Sequence, residues 1–181
     1  MRQLIAVKCP TEDMALTNYV YVAPNTFPNT KYICIMPANK TNAICVVANI
    51  AESECIKPNE IATNAFMRRQ LGEILLGSLV VSSPLHGVHT IADSVIITVE
   101  PIVKGAFVTV NHEHLLNFLN HTMNDMAVNK GQILVDKYQG IKLELKIVCI
   151  ISDTHHENSH TIIKSDTTKI TVTYSQVVKV I

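Results

Sequence analysis

Apolar and polar residues alternate along this chain in short runs bounded by Pro, Asn and Gly, the pattern of strands joined by turns. Readable strands cover residues 4–8, 19–23, 32–36, 43–50, 79–82, 95–99, 132–137, 141–151 and 169–174. From Ile141 to Ile147 every second position is apolar and the others are charged, as in an antiparallel strand with one buried face. Tyr138-Gln139-Gly140 just before it predicts a hairpin turn. Residues 43–50 are apolar almost throughout, which suits a central strand buried on both faces of a closed barrel. One segment changes period. After Asn111, a good N-cap, Leu115, Leu116, Leu119 and Met123 recur at helical spacing, and Glu113 sits where it complements the helix dipole. Residues 59–70 carry a weaker helical pattern, in which Thr63 and Asn64 are poor formers, and the pattern leaves them unassigned.

Ser82 to Thr90 is the longest stretch combining Pro, Gly and small polar residues, and it is the best candidate boundary. Five strands precede it, and a strand, a helix and a hairpin follow, which suggests an all-β subdomain and then a smaller α+β one. Composition strengthens the strand reading, since 57 of 181 residues are Ile, Val or Thr. With 48% hydrophobic and 17% charged residues the chain is globular rather than disordered. The uncharged stretch Ile74 to Ala92 is long enough to raise a membrane span, but it contains Pro84, two Gly, two His and three Ser, and reads better as a strand and a loop. The apolar stretch between Arg2 and Lys8 is too short for a secretory signal, so a cytoplasmic chain is expected. Cys9, Cys34, Cys45, Cys55 and Cys149 are odd in number, widely spaced and form no CxxC, which predicts five buried or half-buried free thiols in a reducing compartment.

Lys plus Arg and Asp plus Glu number 15 each, and the balance holds along the chain, which excludes the broad cationic footprint of a nucleic-acid binder. No phosphate-cradling GxxxxGK[ST], no GxGxxG after a strand and no GxSxG elbow occurs. His112-Glu113-His114 lacks metal-ligand spacing, and His114 with His121 lacks a third ligand. His155, His156, Glu157 and His160 are better spaced but read as a solvated hairpin connection. Cys9 is the one thiol beside a cation, Lys8, a weak case for an activated nucleophile against a small apolar residue at a strand end. Glu52 with Glu54, and Glu12 with Asp13, read as loop charges rather than catalytic pairs. No catalytic and no metal-ligating residue is assigned. What remains is Lys8, the pair Arg68-Arg69, and Lys104, each flanked by uncharged sequence; if the fold gathers them, they form a small patch suited to an acidic partner.

The segment Val7-Lys8-Cys9-Pro10-Thr11-Glu12-Asp13-Met14-Ala15-Leu16-Thr17-Asn18 closely resembles the start of the N-terminal domain of the N-ethylmaleimide-sensitive fusion ATPase, an AAA+ protein of membrane fusion. Further matching segments follow in order: Pro58-Asn59-Glu60-Ile61-Ala62, the basic pair, Gly72 and Gly77 before a strand, and Gly131-Gln132 opening the late hairpin. The resemblance covers nearly the whole chain. It implies a mainly β fold with an α+β part: a double-psi β-barrel over residues 1–83, a linker over 84–90, and a small α/β roll over 91–181, with a groove between the two bodies. It also implies that the domain has no catalysis of its own and grips the soluble attachment protein (SNAP) on SNARE complexes, so that the ATPase modules can take them apart. Basic residues at the groove carry that contact in the family, and they correspond here to Lys8, Arg68, Arg69 and Lys104. The expected partner is thus SNAP and, through it, SNAREs, with no nucleic acid and no direct membrane insertion. Recruitment to membranes would be peripheral, through the attachment protein. The ATPase modules, which would bind ATP and Mg and form the hexamer, are not in this sequence, so a cofactor-free, monomeric N-terminal fragment is expected. The chain departs from the family at Gly105, where a second lysine is common, and at the tryptophan and proline usually found around the basic pair. Two other readings are the N domain of the related ubiquitin-handling AAA+ ATPase, against which the Cys-Pro-Thr segment argues, and a stand-alone barrel enzyme built on the histidines.

Overall fold

The computed structural model describes residues 1–39, 45–85, 89–152 and 161–181. The chain divides into two compact units, Met1–Gly87 and Val88–Ile181. In the first unit the elements are β1 (Arg2–Lys8), α1 (Glu12–Ala15), β2 (Tyr19–Val22), β3 (Tyr32–Pro37), β4 (Val46–Glu52), β5 (Glu60–Thr63), α2 (Ala65–Gln70) and β6 (Leu79–Pro84). The strands close into a barrel in the order β1-β5-β2-β4-β3-β6. β1 pairs in parallel with β5, and β2 with β4; the other neighbours are antiparallel. Closure removes the sheet edges that strands this short would otherwise expose. Inside lie Leu4, Ala6, Val20, Val22, Ile33, Ile35, Ala48, Ile61 and Val80, with Met67 and Leu71 of α2 added to the same core. Each large aliphatic side chain buried this way contributes about 1.5–3 kcal/mol.

The central strand expected over 43–50 is β4, which starts at Val46 and is buried on both faces as far as Asn49; residues 43 and 44 lie outside the described residues. The expected loop Ser82–Thr90 begins later than its composition suggests. Ser83 and Pro84 still pair with Cys34 and Ile33, so the strand runs to Pro84, where a proline at a strand end costs no ladder bond in the chain that follows. The expectation of five free thiols is corrected: Cys34 and Cys45 form a disulfide, and Cys55 is exposed. The reason is the β3–β4 register, which sets Cys34 opposite Val47 and brings the two Cα atoms to 6.1 Å, within disulfide reach. An odd cysteine count and the lack of a CxxC say nothing about such a cross-strand pair.

The second unit holds β7 (Thr90–Ile91), β8 (Ser94–Pro101), β9 (Val108–Val110), α3 (His112–Thr122), β10 (Met126–Val128), β11 (Ile133–Tyr138), β12 (Ile141–Ile151), β13 (Thr161–Ile163), β14 (Lys169–Tyr174) and β15 (Val178–Val180). They form a four-stranded sheet β11-β12-β8-β14, a three-stranded sheet β10-β13-β7 and the parallel pair β15-β9. Gln139 and Gly140, at φ 48° and 83°, turn the β11–β12 hairpin, as left-handed turn residues do. Along β12 Leu143, Leu145 and Ile147 are buried and Val148 faces outward; a bulge between Ile147 and Cys149 then ends the alternation, and Cys149 and Ile150 are both half-buried. α3 starts where the sequence predicts, with the Asn111 side chain accepting from the His114 amide at 3.0 Å. Its Leu115 and Leu119, with Met123, join the core of Val95, Ile97, Val99, Leu143 and Leu145. The loop of His155, His156, Glu157 and His160 lies outside the described residues. Among the described residues the chain is mainly β, with short helices, and no helix is long and apolar enough to cross a membrane.

Candidate functional site

β1 and β5 run in parallel with Lys8 opposite Thr63, so both strands end on the same side of the barrel. Lys8 is exposed there, while the next residue, Cys9, turns inward against Ile56 and Ala62. Thr11 then caps α1, its hydroxyl accepting from the Met14 amide at 3.2 Å, and Glu12 and Asp13 occupy the first turn of that helix. Those two carboxylates favour the positive helix end, which gives them a structural role.

The stretch 59–70, left unassigned by its pattern, contains a strand, a cap and a helix in sequence. Asn64 leaves β5 in extended conformation and starts α2, its Oδ1 accepting from the Met67 amide at 2.8 Å. Its Nδ2 donates to the Thr17 carbonyl at 3.0 Å, which ties the helix to the segment after α1. Met67 and Leu71 are buried, so the helix cannot rotate, and its other side must carry Arg68 and Arg69. Arg68 is half-buried and donates from Nη1 to the Thr63 carbonyl. Arg69 is exposed, its guanidinium 4.5 Å from the centre of the Phe66 ring. Such stacking restricts a long side chain that would otherwise lose rotamer freedom on binding. Both arginines sit in the last turn of α2, where the helix dipole favours cations. Neither makes an ion pair among the described residues.

Lys8, Arg68 and Arg69 therefore share one end of the first unit. Lys104 belongs to the second unit, on an exposed turn closed by the Ala106 amide donating to the Val103 carbonyl at 3.1 Å. Gly105 occupies the left-handed region at φ 79°, so a lysine there would be strained. Val103 and Phe107 flank the turn with 66% and 85% of their surface exposed.

Burial pushes the Cys9 thiol above its ordinary range, and the positive charge of Arg68 opposes this less strongly. A thiol held protonated in an apolar cluster is the opposite of an activated nucleophile, which favours the apolar reading of Cys9. Glu52 accepts from the Asn25 amide at 2.9 Å and anchors a loop, and Glu54 is exposed. His112 Nδ1 lies 2.7 Å from the Tyr174 hydroxyl, while His114 and His121 point to solvent on α3.

Sequence reasoning did not find the loop after α2. Gly72 and Glu73, at φ 85° and 59°, end the helix, and the Ile74 amide donates back to the Arg68 carbonyl at 3.1 Å. The Gly77 amide donates to the Ala6 carbonyl at 2.8 Å, pinning the far end to β1. Leu75 and Leu76, between those anchors, keep 76% and 53% of their surface exposed beside an open cleft of about 330 Å³ that Arg68 and Arg69 also line. The available signal was a Leu-Leu pair between two glycines, next to a basic pair. No known protein-family model matches this chain, and no curated protein matches it in sequence.

Proposed function

We propose that this chain is a binding module that docks an acidic protein partner through the cationic end of its barrel, with Lys8, Arg68 and Arg69 as the contact residues there and Lys104 of the second unit as a further contact residue. In the fuller form of this reading it is the N-terminal domain of a membrane-fusion AAA+ ATPase, built from a double-psi barrel and an α/β roll. The partner is then the soluble attachment protein on SNARE complexes, and the chain works in the cytoplasm, recruited to membranes through that partner. The observation that carries the reading is local: Lys8, just before the Cys-Pro-Thr run, and the Arg68-Arg69 pair lie at one barrel end, and among the described residues neither arginine has a carboxylate partner. Exposed charge pairs contribute only about 0.2–1 kcal/mol each, so several together give a reversible, salt-sensitive grip. Such a grip suits a machine that releases its adaptor every cycle.

The Cys34–Cys45 bond bears on location, because a reducing cytosol opens most disulfides. The cytoplasmic reading thus requires that the barrel stay folded with this pair reduced. The test of function is a titration with the attachment protein, free and assembled on SNAREs, at low and moderate salt. Binding to the assembled form that weakens with salt is expected. Absence of binding in both forms would overturn the reading in favour of the ubiquitin-handling relative.

A further inference from the structure

The cationic end of the barrel also carries three of the four large apolar side chains exposed among the described residues of the first unit, and charge alone does not account for that. Single exposed leucines are ordinary on protein surfaces. Here Leu75, Leu76 and Leu79 are all exposed within five positions, each beside a cleft. One cleft, of about 330 Å³, lies between the arginines of α2 and Leu75 and Leu76. The other, of about 350 Å³, lies between Pro37 and Asn39 on one side and Leu75 and Leu79 on the other. The loop between them is held in this form by backbone hydrogen bonds from Ile74 to Arg68, from Gly77 to Ala6 and from Ala6 to Ser78. Ile74 packs on the barrel core, so Leu75 and Leu76 are turned outward by a fixed backbone rather than by fraying.

We infer that this loop is the apolar half of the docking surface, and that its occupant is an acidic segment of the partner carrying aliphatic side chains between its carboxylates. The inference rests on the acidic-partner reading above and adds the second chemical feature that the partner must have. The charge argument selects the occupant. Arg68 and Arg69 line the first cleft with Glu73 as the one carboxylate there, so the incoming chain must bring negative charge. A purely acidic segment would leave the leucines in water, and a purely apolar one would desolvate guanidinium groups without a counter-charge. A mixed segment satisfies both.

The two contributions separate experimentally, because ion pairs weaken with salt and apolar contacts do not. The probes are two synthetic peptides of equal charge, one alternating acidic residues with leucine and one with serine in place of leucine. The wild-type domain is expected to bind the leucine peptide about tenfold more tightly, a difference that vanishes in the L75S/L76S variant while the salt dependence stays the same. Both leucines are exposed, so that variant keeps the fold, which its circular dichroism would verify. Equal affinity of the wild type for both peptides would overturn the inference. Preference for the leucine peptide, with no binding of the attachment protein, would keep the apolar seat and overturn that identification of the partner. On the attachment protein itself, the same variant is expected to lose about tenfold in affinity; loss in R68E/R69E with none in L75S/L76S would leave the charge reading standing and remove this one.

Discussion

The two units present their cations in opposite ways. In the barrel, Arg68 is tied to the Thr63 carbonyl, Arg69 is stacked on Phe66, and the helix beneath them is fixed by Asn64 and by the buried Met67 and Leu71. In the second unit, Lys104 stands exposed on a turn closed by the Ala106–Val103 backbone hydrogen bond, and its side chain makes no ion pair among the described residues. A pre-organised cation loses little conformational entropy on binding, whereas a free lysine loses up to about 2 kcal/mol of rotamer freedom. The barrel end should therefore dominate affinity, with Lys104 adjusting it.

The largest effect is therefore expected from R68E/R69E, which should weaken binding of the acidic partner by about a hundredfold while leaving the thermal transition of the domain intact. The second comparison between the units is covalent. Among the described residues only the barrel carries a disulfide, which closes a loop of 11 residues, so C34S/C45S should cost that unit about 3 kcal/mol in denaturant unfolding. The second unit should unfold as before. A barrel indifferent to the change would remove the bond from its energetics and ease the cytoplasmic reading. Next comes N64A, which removes the cap of α2 and its tie to Thr17. It should destabilise the barrel by about 1–2 kcal/mol and lower affinity with it, although residue 64 need not touch the partner. K104E should weaken binding only about threefold; an effect as large as that of the arginine pair would break the comparison.

The smallest effect concerns pH and the second unit. Burial holds the Asp136 carboxyl above its ordinary value of 3.8, so the folded state binds more protons than the unfolded one between that value and the raised one. Stability contributed by this group is complete below 3.8 and is lost as pH rises through the folded value. D136N should accordingly stabilise the second unit at neutral pH, by a margin that shrinks as pH falls toward 3.8 in thermal melts.

Legibility in the sequence followed the length of each element. The β11–β12 hairpin and α3 were readable because seven residues of alternation from Ile141 to Ile147, or three turns of helix, repeat their pattern often enough to stand out. β5 and α2 were not, since four residues of strand, one cap and six of helix share a stretch too short for either period. The strands β7, β9, β10, β13 and β15 have two or three residues each and take partners far away in the chain, which no local pattern reports. The same holds for the site. All four basic residues were visible as isolated charges, but the tie of Arg68 to the Thr63 carbonyl and the seat of Arg69 on the Phe66 ring were not, because both depend on β5 ending and α2 starting at Asn64, a boundary the pattern left unassigned.

The proposed grip of an acidic partner depends on a fixed arginine pair at the barrel end. The most direct measurement is a calorimetric titration of the wild-type and R68E/R69E domains against the attachment protein assembled on SNAREs, at two salt concentrations. The expected result is wild-type binding that weakens with salt and, for the charge-reversed variant, an affinity lower by about a hundredfold at the lower salt concentration. Equal affinity of the two proteins would contradict it.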